Sequence, residues 1–189
     1  IEATNTSVMP QLERRLRAAS SDSDRLRLVI GVRLVGQSYS PLIPSLLELC
    51  TSDSMRIASE AELALSIVGP PGTDEIQTLL QALTQPNGRI KTQSLKVLAP
   101  LGAHVPEIPP AAASLVQDKD PAVRTEARTA LKKMKDKGVD HLVIRLLQAS
   151  EQDQPEFLNA LESMDKNRIR DRAQEVAPVL GVLLGHRDQ

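Results

Sequence analysis

Apolar residues recur at helical spacing along the chain, in short stretches that are separated by polar turns. Leu42, Leu46 and Leu49 fall three or four residues apart, which places them on one face of an α-helix. The turns between such stretches are rich in Ser and Asp, as in Thr51-Ser52-Asp53-Ser54. Residues of this kind start helices by accepting hydrogen bonds from unpaired backbone N–H groups. The pattern therefore predicts a succession of short amphipathic helices.

Glycines close successive apolar stretches at a nearly constant interval. The interval is 33 residues twice and then 36, at Gly36, Gly69, Gly102 and Gly138. A fixed period of this length is typical of repeat arrays, in which each unit is a helical hairpin that packs on its neighbours. We expect an all-α fold, a right-handed α-solenoid of about five helical-hairpin repeats plus a terminal half-repeat. Each glycine is expected to follow the second helix of its hairpin as the C′ residue.

Each predicted unit contains a first helix, A, a polar turn and a second helix, B. We place all units in a single repeat domain, 1–189, at 8–36, 40–69, 72–102, 105–138 and 139–165, with a half-repeat at 173–185. Residues 165–172 are predicted to be a charged connector. The half-repeat would leave an apolar face uncovered, so we expect association through this C-terminal helix with another domain, another subunit or further repeats.

The start of the fourth B helix carries the most distinctive motif. It reads Asp120-Pro121-Ala122-Val123-Arg124-Thr125-Glu126-Ala127, followed by Ala130-Leu131. This stretch resembles the start of helix B in the HEAT repeat family, in its short bacterial-type units, and weaker versions occur in the second and third units. Ankyrin and tetratricopeptide signatures are absent from the sequence. The resemblance implies stacked hairpins that hold other macromolecules.

Composition narrows the function classes. Aromatic residues make up 1% of the chain and the net charge is −1, so the sequence predicts a Leu/Val/Ile/Ala core and no global field that attracts nucleic acid. The single cysteine, Cys50, lies in an apolar helix context and fits a reducing, cytoplasmic compartment. No segment approaches 18 consecutive apolar residues, so membrane insertion is not expected. Because the chain starts at Ile1, we expect a processed or excised segment.

The sequence offers no catalytic constellation. It contains no P-loop, no Gly-x-Ser-x-Gly elbow and no His-Glu-x-x-His motif, and none of its three histidines precedes a glutamate. Cys50 shows no sign of activation, and Gly69-Pro70-Pro71-Gly72 lacks the lysine of a phosphate cradle. We therefore predict no enzyme activity, no catalytic residues, no metal ligands and no cofactor.

The resemblance places outward-facing residues of the B helices against a partner. The candidate partner-binding residues are Arg33, Glu62, Ser66, Leu95, Lys96, Arg124, Arg128 and Lys132. They mix charged and apolar side chains, as protein interfaces do. The predicted function is a non-enzymatic protein–protein interaction or scaffold module that binds a protein or peptide on its concave B-helix face.

Two alternatives remain open at this stage. The run 124–137 holds six cations against Glu126 and Asp136, and such a patch could bind a nucleic-acid backbone. The absence of stacking aromatics disfavours nucleic acid, and a solvated helix face explains the same charges. The second alternative, taken from relatives of the same family, is a lyase or chaperone subunit that acts on a prosthetic group.

Overall fold

A computed structural model of the chain describes residues 8–35, 39–171 and 177, and every regular element within them is helical. The helices are α1 (Val8–Ala18), α2 (Asp22–Val35), α3 (Ile43–Leu49), α4 (Met55–Leu65), α5 (Thr73–Ala82), α6 (Gly88–Leu98), α7 (Ile108–Ser114), α8 (Pro121–Lys133), α9 (Asp136–Gln148), α10 (Gln154–Glu162) and α11 (Lys166–Asp171). Short 3₁₀ turns cover Ser40–Leu42, Ala99–Leu101 and Leu115–Gln117. The predicted all-α helical-repeat fold, of the α-solenoid class, is confirmed. The predicted Gly36 terminus and the half-repeat at 173–185 lie outside the described residues.

The chain forms two compact units, Ile1–Val97 and Leu98–Gln189. In the first unit, α1 packs against α2 and α3 against α4, while α2 also packs against α4, so that successive B helices are neighbours. The apolar residues Ile57, Ala61 and Leu65, which lie at helical spacing on α4, are buried. Three alanines on α4, Ala58, Ala61 and Ala64, have no exposed surface, and their small size lets the neighbouring helices approach closely.

The second unit repeats the same arrangement. Helix α7 packs against α8, and α9 packs against α7, α8 and α10. The apolar residues at helical spacing on and directly after α8 are buried, namely Val123, Ala127, Leu131 and Met134. Both units thus bury aliphatic and small side chains at helical spacing, which is the core that the near absence of aromatic residues predicts.

Polar residues in the turns start the helices as predicted. The Asp120 carboxylate accepts a hydrogen bond from the Ala122 backbone N–H at 2.9 Å, and Pro121 occupies the first position of α8. The Asn87 side-chain oxygen accepts from the Arg89 N–H at 2.9 Å at the start of α6. Helix α2 begins at Asp22, two residues before the predicted Asp24, because the Ser21 hydroxyl accepts a hydrogen bond from the Asp24 N–H.

The glycines serve different purposes. Gly69 has a φ of 88° and ends its hairpin in the left-handed conformation. Gly102 has a helical φ of −62°, and a Cβ there would lie 2.4 Å from Met134 Cγ. At this position glycine is therefore needed for close packing, and a left-handed turn is not formed.

The prediction that Gly138 closes the fourth hairpin is wrong. Helix α8 ends at Lys133, and Gly138 is buried inside α9, where a Cβ would lie 2.1 Å from the Leu131 carbonyl oxygen. The chain reverses instead at Lys135, which has a φ of 56° and a ψ of −122°. The interval from Gly102 to Gly138 is therefore three residues longer because the turn comes at Lys135, before the glycine. Gly138 then lets α9 pack closely against α8.

The predicted charged connector is also wrong in its structure. Residues Lys166–Asp171 form helix α11, which begins where the Asp165 carboxylate accepts a hydrogen bond from the Asn167 N–H at 2.9 Å. A local cap and partial burial of Ile169 are therefore sufficient for a helical turn in a highly charged segment.

Candidate interaction surface on the second helices

Charged residues of neighbouring B helices pair with one another in the first unit. Arg33 Nε on α2 donates to Glu60 Oε2 on α4 at 2.9 Å, and Arg89 Nε on α6 donates to Glu62 Oε1 on α4 at 2.7 Å. The two carboxylates are partly buried, with side chains 20% and 29% exposed. Helix α4 is therefore held by ion pairs from both sides, and two predicted partner-binding residues, Arg33 and Glu62, already have partners within the chain.

The second unit carries an equivalent pair. Arg128 Nη2 on α8 donates to Glu156 Oε2 on α10 at 2.5 Å, and the two side chains are 29% and 42% exposed. Arg168 on α11 also pairs with Asp136 at the start of α9. Sequence reasoning found Arg128 but missed Glu156, its acceptor 28 residues later.

Arg124 has a local structural role. Its Nη1 donates to the backbone oxygens of Asp118 at 2.9 Å and Lys119 at 3.2 Å, which close the turn before α8. The guanidinium therefore fixes the turn between the two helices of the hairpin. Stabilisation of this turn is therefore enough to explain the arginine in the distinctive motif, without a role in partner binding.

The remaining candidates divide by exposure. Ser66, Lys96 and Lys132 are exposed, and the Ser66 hydroxyl donates to the Leu63 carbonyl oxygen at 2.7 Å. Leu95 has 0% exposed surface, so its prediction as a partner-binding residue is wrong. Leu95 belongs to the apolar stripe that α6 buries. Leu95 and Glu62 are 33 residues apart and so occupy the same place in the repeat, but they differ in exposure.

Exposed apolar side chains form a second feature of the B helices in the first unit. Leu34 on α2 is 73% exposed, and Leu63 and Ile67, on and directly after α4, are 52% and 38% exposed. Ile30 is half-buried four residues before Leu34. We call Ile30, Leu34, Leu63 and Ile67 the apolar ridge. Because α2 packs against α4 and the 33-residue register pairs Ile30 with Leu63 and Leu34 with Ile67, the four residues lie on corresponding faces of adjacent helices.

A comparison with known families identifies the helical hairpins. The family model described as HEAT repeats matches residues 76–175, which is more than half of the chain. The chain belongs to the HEAT repeat family. The matched segment includes the B helices α6, α8 and α10.

Solved structures were found that are similar to this chain at low sequence identity. A crystal structure of an engineered protein from the Northeast Structural Genomics Consortium is 19% identical, with a TM-score of 0.47, covering 92% of this chain and 87% of that one. A designed armadillo repeat protein is 14% identical, with a TM-score of 0.46, covering 88% and 87%. A comparison with curated proteins found no match. In the described part of this HEAT chain, no helix is both long and apolar enough to cross a membrane.

Ionisable groups of the HEAT units show no activated nucleophile in the described part of the chain. Burial raises the pKa of the Cys50 thiol to about 12, and the nearby Glu62 carboxylate acts in the same direction. Burial lowers the pKa of His141, against the opposing effect of Asp140. Among the described residues, no group of three or more His, Cys, Asp or Glu side chains is placed to hold a metal ion. Cys50 is therefore a neutral core thiol over the physiological pH range.

A cavity in the first unit lies at the hairpin turns. It has a volume of about 480 Å³ and is lined mainly by polar residues, including Arg17, Arg25, Glu48 and Asp53. Arg25 Nε donates to the Ala19 carbonyl oxygen at 3.1 Å, and Arg17 pairs with Glu13 at 2.6 Å. Both guanidinium groups of the cavity thus have partners within the chain, Arg25 at the turn after α1 and Arg17 within α1.

Proposed function

We propose that this HEAT chain is a non-enzymatic interaction module that binds a protein or peptide through the B-helix face of its first unit, with the apolar ridge as the anchoring surface. The observation that carries the proposal is the exposure of Leu34, Leu63 and Ile67, on or directly after the B helices. Isolated exposed apolar residues are common, but three exposed residues with the half-buried Ile30 on corresponding faces make a patch that a partner can bury.

The ion pairs beside the ridge support this assignment. Arg33–Glu60 and Arg89–Glu62 place neutralised, partly exposed charge next to apolar surface. An apolar centre with a hydrogen-bonded polar rim is the usual anatomy of a protein interface. Because the rim charges are already paired, a partner need not supply the opposite charge in order to bind.

The same contacts weaken the nucleic-acid alternative. Two of the six cations in 124–137, Arg124 and Arg128, are committed to the turn before α8 and to Glu156. Charge reversal at Arg128 would bring two carboxylates together and would test stability rather than binding. The prosthetic-group alternative has no supporting cavity or ligand set among the described residues.

A ridge variant with a matched control tests the proposal. We expect Leu63→Asp to lose proteins that the wild-type chain retains in quantitative affinity capture from its source cells, because a carboxylate cannot be buried against an apolar anchor. Leu147→Asp on α9, where the side chain is 48% exposed, is the control and should retain them. Equal retention by wild type and both variants, with unchanged helical circular dichroism, would refute the ridge as the binding surface.

A further inference from the structure

A small cationic cavity lies in the second unit. It has a volume of about 250 Å³ and lies where the end of α8, the start of α9 and the start of α11 meet. Lys132, Lys135 and Arg168 line it, each from a different part of this junction, and Asp165 is the acidic residue in its wall. The cavity therefore gathers three cations and one carboxylate around one space.

Two of the three cations make no ion pair in the described part of the chain. Arg168 pairs with Asp136, whereas neither Lys132 nor Lys135 makes an ion pair within the described residues. Clustered ammonium groups repel one another unless an anion lies between them. The Asp165 carboxylate is the acidic group that lines the cavity with them, so the two lysines and one carboxylate leave a net positive charge at the site.

The backbone conformation of Lys135 is a second, independent observation at this site. Lys135 has a φ of 56° and a ψ of −122°, a conformation that costs a residue with a Cβ about 1–3 kcal/mol and that glycine adopts readily. Glycine at 135 would form the same turn without strain. What lysine offers at this position, and glycine does not, is a charged side chain in the wall of the cavity.

The size of the cavity limits what it can hold. Sites for drug-sized or nucleotide-sized molecules usually have volumes of about 300–1,000 Å³. A space of about 250 Å³, which Ser163 and the buried residues Val139 and Met164 also line, is smaller than these sites and has room for a tetrahedral oxyanion. A phosphoryl group carries up to two negative charges and several acceptor oxygens, which two lysines without ion pairs and a guanidinium can bind.

We propose that this cavity, lined by Lys132, Lys135 and Arg168, binds a phosphoryl group. The group can be free phosphate or the phosphate of a modified side chain, since both present the same oxyanion. The proposal does not depend on the apolar ridge, because the site is built entirely from residues of the second unit.

Titration of the whole chain with inorganic phosphate at constant ionic strength tests the proposal, followed by ¹H–¹⁵N NMR and isothermal calorimetry. We expect saturable shifts confined to the junction of α8, α9 and α11. Lys132→Gln should weaken binding by about tenfold, which is the effect of losing one charge-assisted hydrogen bond. Lys133→Gln is the matched control, because Lys133 is an exposed lysine on the same helix outside the cavity wall, and it should bind like wild type.

Lys135→Gly separates binding from folding. We expect this variant to unfold at a higher temperature than wild type, because the strained φ is relieved, and to bind phosphate about tenfold more weakly. O-phosphoserine serves as a second probe. Tighter binding of phosphoserine indicates a protein-borne phosphate, and tighter binding of inorganic phosphate indicates the free ion. Shifts that do not saturate, equal weakening by Lys133→Gln, or acetate binding as tightly as phosphate would each overturn the proposal.

Discussion

Replacing Ser94 with alanine should stabilise the protein. Ser94 lies in α6 with 0% of its surface exposed, and its hydroxyl oxygen has no hydrogen-bond partner among the described residues. The positions 33 residues before and after it in the repeat are Ala61 and Ala127, which are equally buried. Alanine therefore fits this position of the HEAT unit, and the serine places an unsatisfied polar atom in an apolar stripe.

Three contributions set the magnitude of the effect. Burying a hydroxyl without a partner costs about 1–3 kcal/mol in protein mutational data. Alanine is better than serine in a helix by about 0.5 kcal/mol. The void left by one oxygen atom costs about 0.4 kcal/mol. The free energy of unfolding should therefore rise by about 1–3 kcal/mol, which corresponds to a Tm increase of about 3–9 °C for a chain of this length.

Thermal and urea unfolding followed by circular dichroism would measure the change. The reciprocal variant, Ala61→Ser, is the control and should lower Tm by a similar amount, since it inserts the same hydroxyl into the same stripe of the preceding unit. An unchanged or lower Tm for Ser94→Ala would show that the hydroxyl has a partner in solution and would refute the assignment of Ser94 as an unsatisfied group.

Three other predictions concern close packing and buried ionisable groups. Gly138→Ala should lower the free energy of unfolding by about 3 kcal/mol or more, because the Leu131 carbonyl occupies the place of the new Cβ. Gly102→Ala should lower it by only about 1–2 kcal/mol, because the flexible Met134 thioether can move aside. Urea unfolding of the two variants should give this order. Because the pKa of Cys50 is raised to about 12, the neutral thiol contributes fully to stability below pH 9, and this contribution is lost as pH rises toward 12. In urea titrations, the free energy of unfolding of Cys50→Ala should therefore fall less between pH 9 and 12 than that of wild type. Because the pKa of His141 is lowered, the neutral imidazole contributes fully to stability above the ordinary pKa of 6.5, and this contribution is lost as pH falls through the folded pKa. NMR titration should give a His141 pKa below 6.5. The free energy of unfolding of His141→Gln should fall less at acid pH than that of wild type. A His141 pKa at or above 6.5 would contradict the burial argument, as would a Cys50 thiol that reacts readily with a disulfide reagent in the folded protein at pH 8.

The sequence predicted the helices well because their signals are local. Helix α1 begins at Val8, where the first unit was predicted to begin, and α8 begins in the distinctive motif at Asp120 and Pro121. The position of the turn after α8 could not be predicted, because nothing in the sequence marks Lys135 as a residue with positive φ. Gly138 seemed the better candidate on conformational grounds, but its role is a close contact between two helices, and that contact depends on tertiary packing.

The charged residues on the B helices show what the 33-residue spacing can and cannot predict about binding. Aligning units by their glycines brought Arg33, Glu62 and Arg128 into the list of candidates, yet it could not distinguish a charge that lacks a partner from one that already has a partner. That distinction depends on the lateral offset between neighbouring helices, which brings residues 27 or 28 apart into contact rather than residues 33 apart. Searching a HEAT sequence for opposite charges at this second spacing would have identified Glu60 and Glu156 as acceptors. Removing such pairs from the list of candidates leaves the apolar ridge of the first unit and the lysines of the cavity in the second. Ligand binding should be sought at these two surfaces rather than at the ion-paired residues.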